Sequence, residues 1–505
     1  MPTNNKPDNA ATRAGHIERF NIYSHRTGKF ADVSAGCVEL YYYEDILSNS
    51  ISATAVIVES GLSNTQIGDD KGNNIGFVGI LDNLPIRGGE QVQLVFRDNK
   101  NNPTALKFLK GRDFYVKSVR EVDPGTQKDI YYLDLCTRES ISNEQIRVVK
   151  RYDGSIAENI HTLLKSPLSG DAGIKTPKKI ESDPTVFDYN FIGNDRKPFY
   201  IGTWLASKSV PVIKARGKNQ KMIAGAAGYF FFETYDGFKF KAIDILLKPT
   251  ATDANGNEQP KLIKKFIFSN TPDLPPEYDA KILAVDVERD INLQRNLAMG
   301  AYANRTLLFD FVNMDYKVEN VGVPHEVKVT FKGGKPTLEQ SNVQNAGKKT
   351  FGDGLPNDIL RSPSRLMSRI LDIGTLPPGK TAKEQLKYWR DNPTSPRFKV
   401  SQTMAQAAMR YNQLFAIKTH ITIAGDFSLK AGDLVHCDFP QLTIDRNKET
   451  NKQTGGLYLI ASVCHRMTPD DCFSRLTLVR DTFGRKPSHS GTKRVVTVPN
   501  LPYIK

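Results

Sequence analysis

The stretch "IRGGEQVQLVF", Ile86–Phe96, is written a second time as "LKAGDLVHCDF", Leu429–Phe439. Both follow one pattern: aliphatic, basic, small, Gly, acidic, any residue, Val, three of any kind, Phe. A pattern that specifies seven of eleven positions is too short to decide anything alone, so the flanks matter. Downstream of the first copy runs "FYVKSVREVDPGTQKDIYYLDLCTRE", and downstream of the second "YLIASVCHRMTPDDCFSRLTLVRD". From the shared Gly to a shared Ser-Val pair is 29 residues in one copy (Gly89 to Ser118) and 30 in the other (Gly432 to Ser462). A Pro/Gly/Asp-rich turn and a further strand follow in both, and each copy ends in a basic-acidic pair, Arg138-Glu139 and Arg480-Asp481. Three aligned segments with spacing that agrees to one residue indicate an internal duplication.

Each copy reads as all-β. "ISATAVIVES", "EQVQLVF", "DIYYLDL", "HITIAG" and "SRLTLV" place an apolar side chain at every second position, which turns one face of a strand toward a core. The pairs Gly89-Glu90 and Gly432-Asp433 mark the repeat as tight turns: Gly permits a positive φ, and a solvated acid holds the turn at the surface.

Between the copies the period changes. "SIAENIHTLLK" (Ser155–Lys165) has helical spacing, "GYFFFETYDGFKFKAIDILL" reads as a hairpin turning at Asp236-Gly237, and "KILAVDVERDINLQRNLAMGAYANRTLLFD" gives a helix and a strand. The fold class is therefore mainly β (α+β). The chain divides into a flexible N-terminal arm (1–30), a first β domain (31–150), a middle α/β domain (151–332), a Gly/Pro/Lys-rich surface insertion with short helices (333–396), a second β domain (397–484) and a basic C-terminal tail (485–505).

At 505 residues the chain exceeds what one core accommodates, and 39% hydrophobic with 25% charged residues is an ordinary globular composition. No apolar run reaches membrane-helix length and the N-terminus lacks a signal-peptide core, so cytoplasmic synthesis and folding are expected. Five cysteines in so long a chain fit reduced thiols rather than a disulfide framework. The net charge of +14 is spread among interleaved acids, with an acid-free basic stretch only after Arg485.

Catalytic motifs are present only in fragments. "GTLPPGKT" (Gly374–Thr381) fits the phosphate-loop pattern, with "ILAVD" (Ile282–Asp286) as a candidate magnesium strand. Yet Pro377 and Pro378 lack N–H groups where a phosphate needs donors, the acid precedes the loop, and the preceding "RLMSRILDI" has helical spacing. His436, Cys437, Cys464, His465 and Cys472 lie close in sequence but lack knuckle spacing, because adjacent strand residues point to opposite faces; Cys437 shares a face with Val435 and Phe439 as a small core residue. "PHEVKV" at Pro324 is half a metalloprotease motif, and no G-x-S-x-G elbow occurs. The reading is of a non-enzyme with no catalytic, cofactor or metal residues; the residues singled out, Gly89, Glu90, Gly432 and Asp433, are structural.

Five stretches, "ILSNSISATAVIVESG", "LPIRGGEQVQL", "DPTVFDYNFIGNDRKPFYIGTWLASKSVP", "YFFFETYDGFKFKAIDILL" and "FSLKAGDLVHCDFP" with "GLYLIASVCHRM", resemble the baseplate hub proteins of contractile-tailed phages, a family related to the spike base of type VI secretion and to late control protein D. The resemblance runs from about Asp32 to Asp481; the 333–396 insertion and the basic tail depart from it. It implies two tail-tube-like β-barrels per chain and a homotrimeric ring of six barrels. A duplicated domain in a threefold ring is pseudo-sixfold on one face and threefold on the other, which suits a joint between a hexameric tail tube and a trimeric central spike. The implied partners are the spike protein below, the tube or tube-initiator protein above, the inner baseplate wedge, the tape-measure protein and, transiently, phage DNA in the lumen. The implied location is the virion tail baseplate, assembled in the host cytoplasm. A hub-associated peptidoglycan-degrading enzyme is the alternative, although no segment of about 100 residues is left over for a lytic domain.

Overall fold

The computed structural model of the chain describes residues between 14 and 480, with interruptions of which the longest are 269–279, 340–355, 371–399 and 441–453. The first domain contains β1 (His16–Ser24), β2 (Lys29–Asp32), β3 (Cys37–Asp45), β4 (Ser52–Glu59), β5 (Gln91–Arg97), β6 (Ala105–Phe108), β7 (Phe114–Pro124) and β8 (Asp129–Thr137). They follow the order β3-β4-β8-β7-β5-β1-β2, every pair antiparallel, with β6 against β5. Alternate side chains, among them Leu40, Tyr42, Leu94, Phe96, Phe108 and Tyr131, fill one core. The expected N-terminal arm is corrected here. "HIERFNIYS" supplies β1, whose Phe20 and Ile22 are fully buried. Its apolar positions alternate too sparsely to stand out until β5 provides the partner.

The middle region opens with α1 (Arg138–Gln145), capped by the Thr137 hydroxyl, and α2 (Ile156–Lys165), capped by a reciprocal Ser155/Glu158 box. Next come β9 (Lys179–Ser182), α3 (Pro198–Ala206), and a hairpin of β10 (Tyr229–Thr234) and β11 (Gly237–Ala242), in the sheet order β9-β11-β10. Thr234 pairs with Gly237, so Tyr235 and Asp236 form the tip.

Two further strands of this region, β12 (Lys264–Phe268) and β13 (Lys281–Glu288), belong to the second barrel. They are followed by β14 (Ala303–Asp310), β15 (Asp315–Gly322), β16 (Arg365–Ile370) and α4 (Val400–Leu414), then by β17 (Ile417–Ala424), β18 (Leu434–Asp438), β19 (Gly456–Met467) and β20 (Cys472–Arg480). The second barrel closes through the order β18-β12-β13-β17-β20-β19 and back to β18. Its strands thus come partly from the stretch read as the middle domain. "RLMSRI", read as helical, is strand β16, parallel to β14 and exposed at every second residue. Short apolar runs satisfy both periods, and here the neighbouring strand decides. The rest of the motif, "GTLPPGKT", lies outside the described residues, as does the basic tail.

The duplication is visible strand for strand. β5-β7-β8-β4-β3 of the first barrel matches β18-β19-β20-β17-β13 of the second, with the same antiparallel sense throughout. A β-bulge falls at Lys117 between Val116 and Ser118, and another at Ala461 between Ile460 and Ser462, at the same place in the ladder. The turn is repeated atom for atom. Gly89 N–H donates to Val116 O at 2.8 Å and Gly432 N–H to Ile460 O at 2.9 Å; Glu90 O and Asp433 O each accept the return bond at 2.9 Å. Both glycines hold a positive φ, +88° and +89°. The acids differ from the expectation of two solvated carboxylates. Asp433 is exposed, but Glu90 is buried and accepts the Arg87 and Gly88 N–H groups at 3.0 and 2.9 Å, satisfying donors that the turn would otherwise leave unpaired.

Gly89→Ala is expected to cost about 1 kcal/mol, the strain of a positive φ alone, since a Cβ there meets nothing within 4 Å. Gly432→Ala adds a contact at 3.0 Å with the Phe232 ring and should cost more, about 2–3 kcal/mol. Urea unfolding of the two variants measures the difference.

Candidate assembly site at the seam between the barrels

The two barrels share one sheet. β3 lies antiparallel to the C-terminal half of β19, from Leu40 opposite Met467 to Asp45 opposite Ser462. β19 is long because it does two jobs: Gly456–Leu459 closes the second barrel against β18, and Ser462–Met467 joins the first. Across the seam the Tyr42 ring stacks on His465 at 5.9 Å, and the His465 ring lies 4.7 Å from Phe427. Phe427 crosses over entirely, burying itself in the first barrel's core with its ring 5.2 Å from Phe96. Its N–H donates to the buried Asp98 carboxylate at 3.0 Å.

Glu44 is the three-way tie. Phase along β3 aims Leu40, Tyr42 and Glu44 at the same buried side, so an acid replaces the next core residue. One carboxylate oxygen accepts the Tyr42 hydroxyl and the Tyr235 N–H, both at 2.7 Å; the other accepts the Ala431 N–H at 3.0 Å. First barrel, middle hairpin and second barrel meet on this one group. Burial pushes its carboxyl up to about 7, against the downward pull of the three hydrogen bonds.

The hairpin tip is wedged between the barrels. The Tyr235 hydroxyl accepts the Lys107 N–H at 3.2 Å, Arg112 donates to Tyr235 O at 3.2 Å, and Lys430 from the second barrel pairs with Asp236 at 2.6 Å. Behind the tip, Lys178 bridges two buried acids, Glu139 at 2.8 Å and Glu233 at 2.5 Å. Glu233 also accepts the Ile51 N–H at 3.2 Å and the Thr137 hydroxyl at 3.4 Å, and Glu139 accepts the Thr176 hydroxyl at 2.7 Å. Burial raises the Glu233 carboxyl while the Lys178 ammonium opposes it; burial works against that ammonium, which the two carboxylates hold above the ordinary lysine value. The network ties Ile51, Thr137, Glu139, Thr176, Lys178 and Glu233 together in one buried cluster.

Gly432 and Asp433 sit beside Ala431 at this junction, whereas Gly89 and Glu90 make the equivalent turn within the first barrel. Sequence reasoning missed Glu44, Glu139, Lys178 and Glu233. The alternation of "ELYYYED" carries a signal for Glu44; Lys178 lies just before β9 and has none. The His/Cys group is dispersed: Cys437 is in the second barrel's core, Cys472 packs against the first, His436 lies 3.3 Å from Asp438, and Cys464 is on the seam, where burial pushes its thiol up to about 11. Among the described residues no group of three or more His, Cys, Asp or Glu is arranged to hold a metal, and no helix is long and apolar enough to cross a membrane.

No family model matches the sequence, and no curated protein matches it. The chain is similar to the 43 kDa tail protein of prophage MuSo2 from Shewanella oneidensis (10% identity, 92% of this chain and 98% of that one, TM-score 0.44). It is also similar to a tail protein from Neisseria meningitidis MC58 (9%, 92% and 97%, TM-score 0.43) and to prophage tail protein gp18 from Listeria monocytogenes EGD-e (10%, 93% and 96%, TM-score 0.38).

Proposed function

We propose that this chain is a structural hub of a phage tail baseplate. Three copies form a ring of six barrels that joins a hexameric tail tube to a trimeric central spike and lets DNA pass during ejection. The observation that carries this reading is the pair of barrels with one strand plan, bulge and turn, joined side by side in a continuous sheet. Two equivalent units locked at one angle are what a pseudo-sixfold ring needs from each of three subunits. The Glu44 tie, the Phe427 plug and the Lys178 network hold that angle. The role is architectural, without catalysis by the chain itself; the spike, tube, wedge and tape-measure proteins are its partners. Light scattering on the purified protein should give about 169 kDa, three times the 56.4 kDa chain. A species that stays at 56.4 kDa at high concentration, with and without the spike protein, would overturn the ring.

A further inference from the structure

The Lys178 cluster brings an amine and two carboxyls into contact away from water: Lys178, Glu139 and Glu233 are 5%, 2% and 1% exposed. Lys178 Nζ donates to Glu233 Oε1 at 2.5 Å and to Glu139 Oε2 at 2.8 Å. An oxygen so close places the Glu233 carboxyl carbon about 3–3.5 Å from Nζ, the separation of a near-attack arrangement. The other Glu233 oxygen, Oε2, accepts the Ile51 N–H at 3.2 Å and the Thr137 hydroxyl at 3.4 Å, two donors aimed where negative charge develops when a nucleophile adds to the carbon. Glu139 is fixed beside them: the Thr176 hydroxyl holds its Oε1 at 2.7 Å, which leaves Oε2 on the amine. Lysine ion pairs nearer the surface lack this enclosure. The Lys241 and Lys264 side chains, beside Asp183 and Asp426, are 23% and 28% exposed.

We propose that Lys178 and Glu233 condense to an amide, with Glu139 relaying a proton, so that the chain staples itself covalently. The ion pair is the reactant. The ammonium passes one proton to Glu233 Oε1, and the resulting amine attacks the carboxyl carbon. Charge collects on Oε2, between the Ile51 and Thr137 donors. Glu139 takes a second proton from the attacking nitrogen and returns it to Oε1. The Cδ–Oε1 bond then breaks, water leaves, and the Nζ–Cδ amide remains. Both protons lost by the nitrogen depart in the water, Glu139 ends as it began, and nothing is oxidised or reduced. In bulk water hydrolysis drives such a condensation back. Here the groups are held as if at about 10⁵–10⁸ M, and the cluster is closed to solvent. Burial disfavours the ammonium, yet its two carboxylate partners keep it charged, so the loss of its proton makes the step slow. Burial also favours the neutral form of the Glu233 carboxyl, the group that takes that proton. The reaction happens once per chain and has no other substrate. The amide joins the segment entering β9 to β10, across β11, beside the hairpin tip wedged between the barrels.

This inference does not rest on the hub reading, and its test needs no partner. The full chain is incubated folded for days at several pH values, and its intact mass is then measured under denaturing conditions. The expected result is a fraction of chains, growing with time, that is lighter by one water, about 18 Da. Digestion of that fraction should yield a branched peptide joining Lys178 to Glu233. Lys178→Arg keeps the cation without the amine and should hold full mass throughout. Glu139→Gln removes the relay and should slow the link about a hundredfold or more. A wild-type mass that never changes overturns the proposal, whether or not the variants fold. A branch at Glu139 overturns the choice of Glu233 as acceptor. The same loss of water in Lys178→Arg places the reaction elsewhere and overturns it too, and an undiminished rate in Glu139→Gln overturns the relay.

Discussion

Replacing Lys178 by Met is expected to destabilise the fold by about 3–5 kcal/mol, the range for removing one partner of a buried ion pair. The substitution leaves Glu139 and Glu233 facing each other, both buried, with no cation between them. The deficit should shrink as pH falls, because protonation removes the repulsion. Adding Glu139→Gln and Glu233→Gln to the same variant should recover most of the loss, since the charges and not the shape are at fault. Urea titrations of the single and triple variants at pH 8 and pH 5 measure all three statements. Equal loss in both variants at both pH values would show that Lys178 contributes packing rather than charge.

The second large effect is at Glu44. Glu44→Ala strips an acceptor from the Tyr42 hydroxyl and from the Tyr235 and Ala431 N–H groups at one point, and should cost about 3–5 kcal/mol. Glu44→Gln keeps the shape and isolates the charge. In the folded chain the Glu44 carboxyl is raised from an ordinary 4.5 to about 7, so folding favours its protonated form. The associated stability is fully present below about pH 4.5 and is lost as pH rises through about 7, on the order of 3 kcal/mol in all. Thermal unfolding of wild type and Glu44→Gln across pH 4–8 should therefore differ in slope over that window, wild type falling more steeply toward high pH. Parallel curves would mean that Glu44 titrates as it does in the unfolded chain.

The strands were legible where alternation is clean and the turn chemistry is written out, as in "EQVQLVF" after Gly89 and "SRLTLV" after the Asp-rich turn. The hairpin and α2 were legible because a short turn between apolar runs and helical spacing are local signals, although the tip is Tyr235-Asp236 and not Asp236-Gly237. β12 was not. Its five residues have no counterpart in the first copy, and it joins the barrel through parallel pairings, one with the nearby β13 and one with β18, about 170 residues on in sequence. β1 and β16 show the same limit, because a short strand with an ambiguous pattern takes its identity from a neighbour. The assembly site was half legible: the repeat announced that there would be two barrels, and the phase of "ELYYYED" points Glu44 inward. That Tyr235 and Ala431 would meet it depends on contacts between residues 191 and 387 positions away from it.

Phe427, described above as a plug, also sets a schedule for synthesis. The first barrel's core includes Phe427, Met467 and Cys472, so it is incomplete until almost the whole described chain has left the ribosome. The bond from Phe427 to Asp98 alone spans 329 residues. The second barrel in turn waits for β12 and β13 to find β17 and β18. Neither barrel can finish independently, and contacts of such long sequence separation make for slow folding. The two halves of the chain are thus completed together, and a nascent chain interrupted before β19 is left with an unfilled hydrophobic core in its first half.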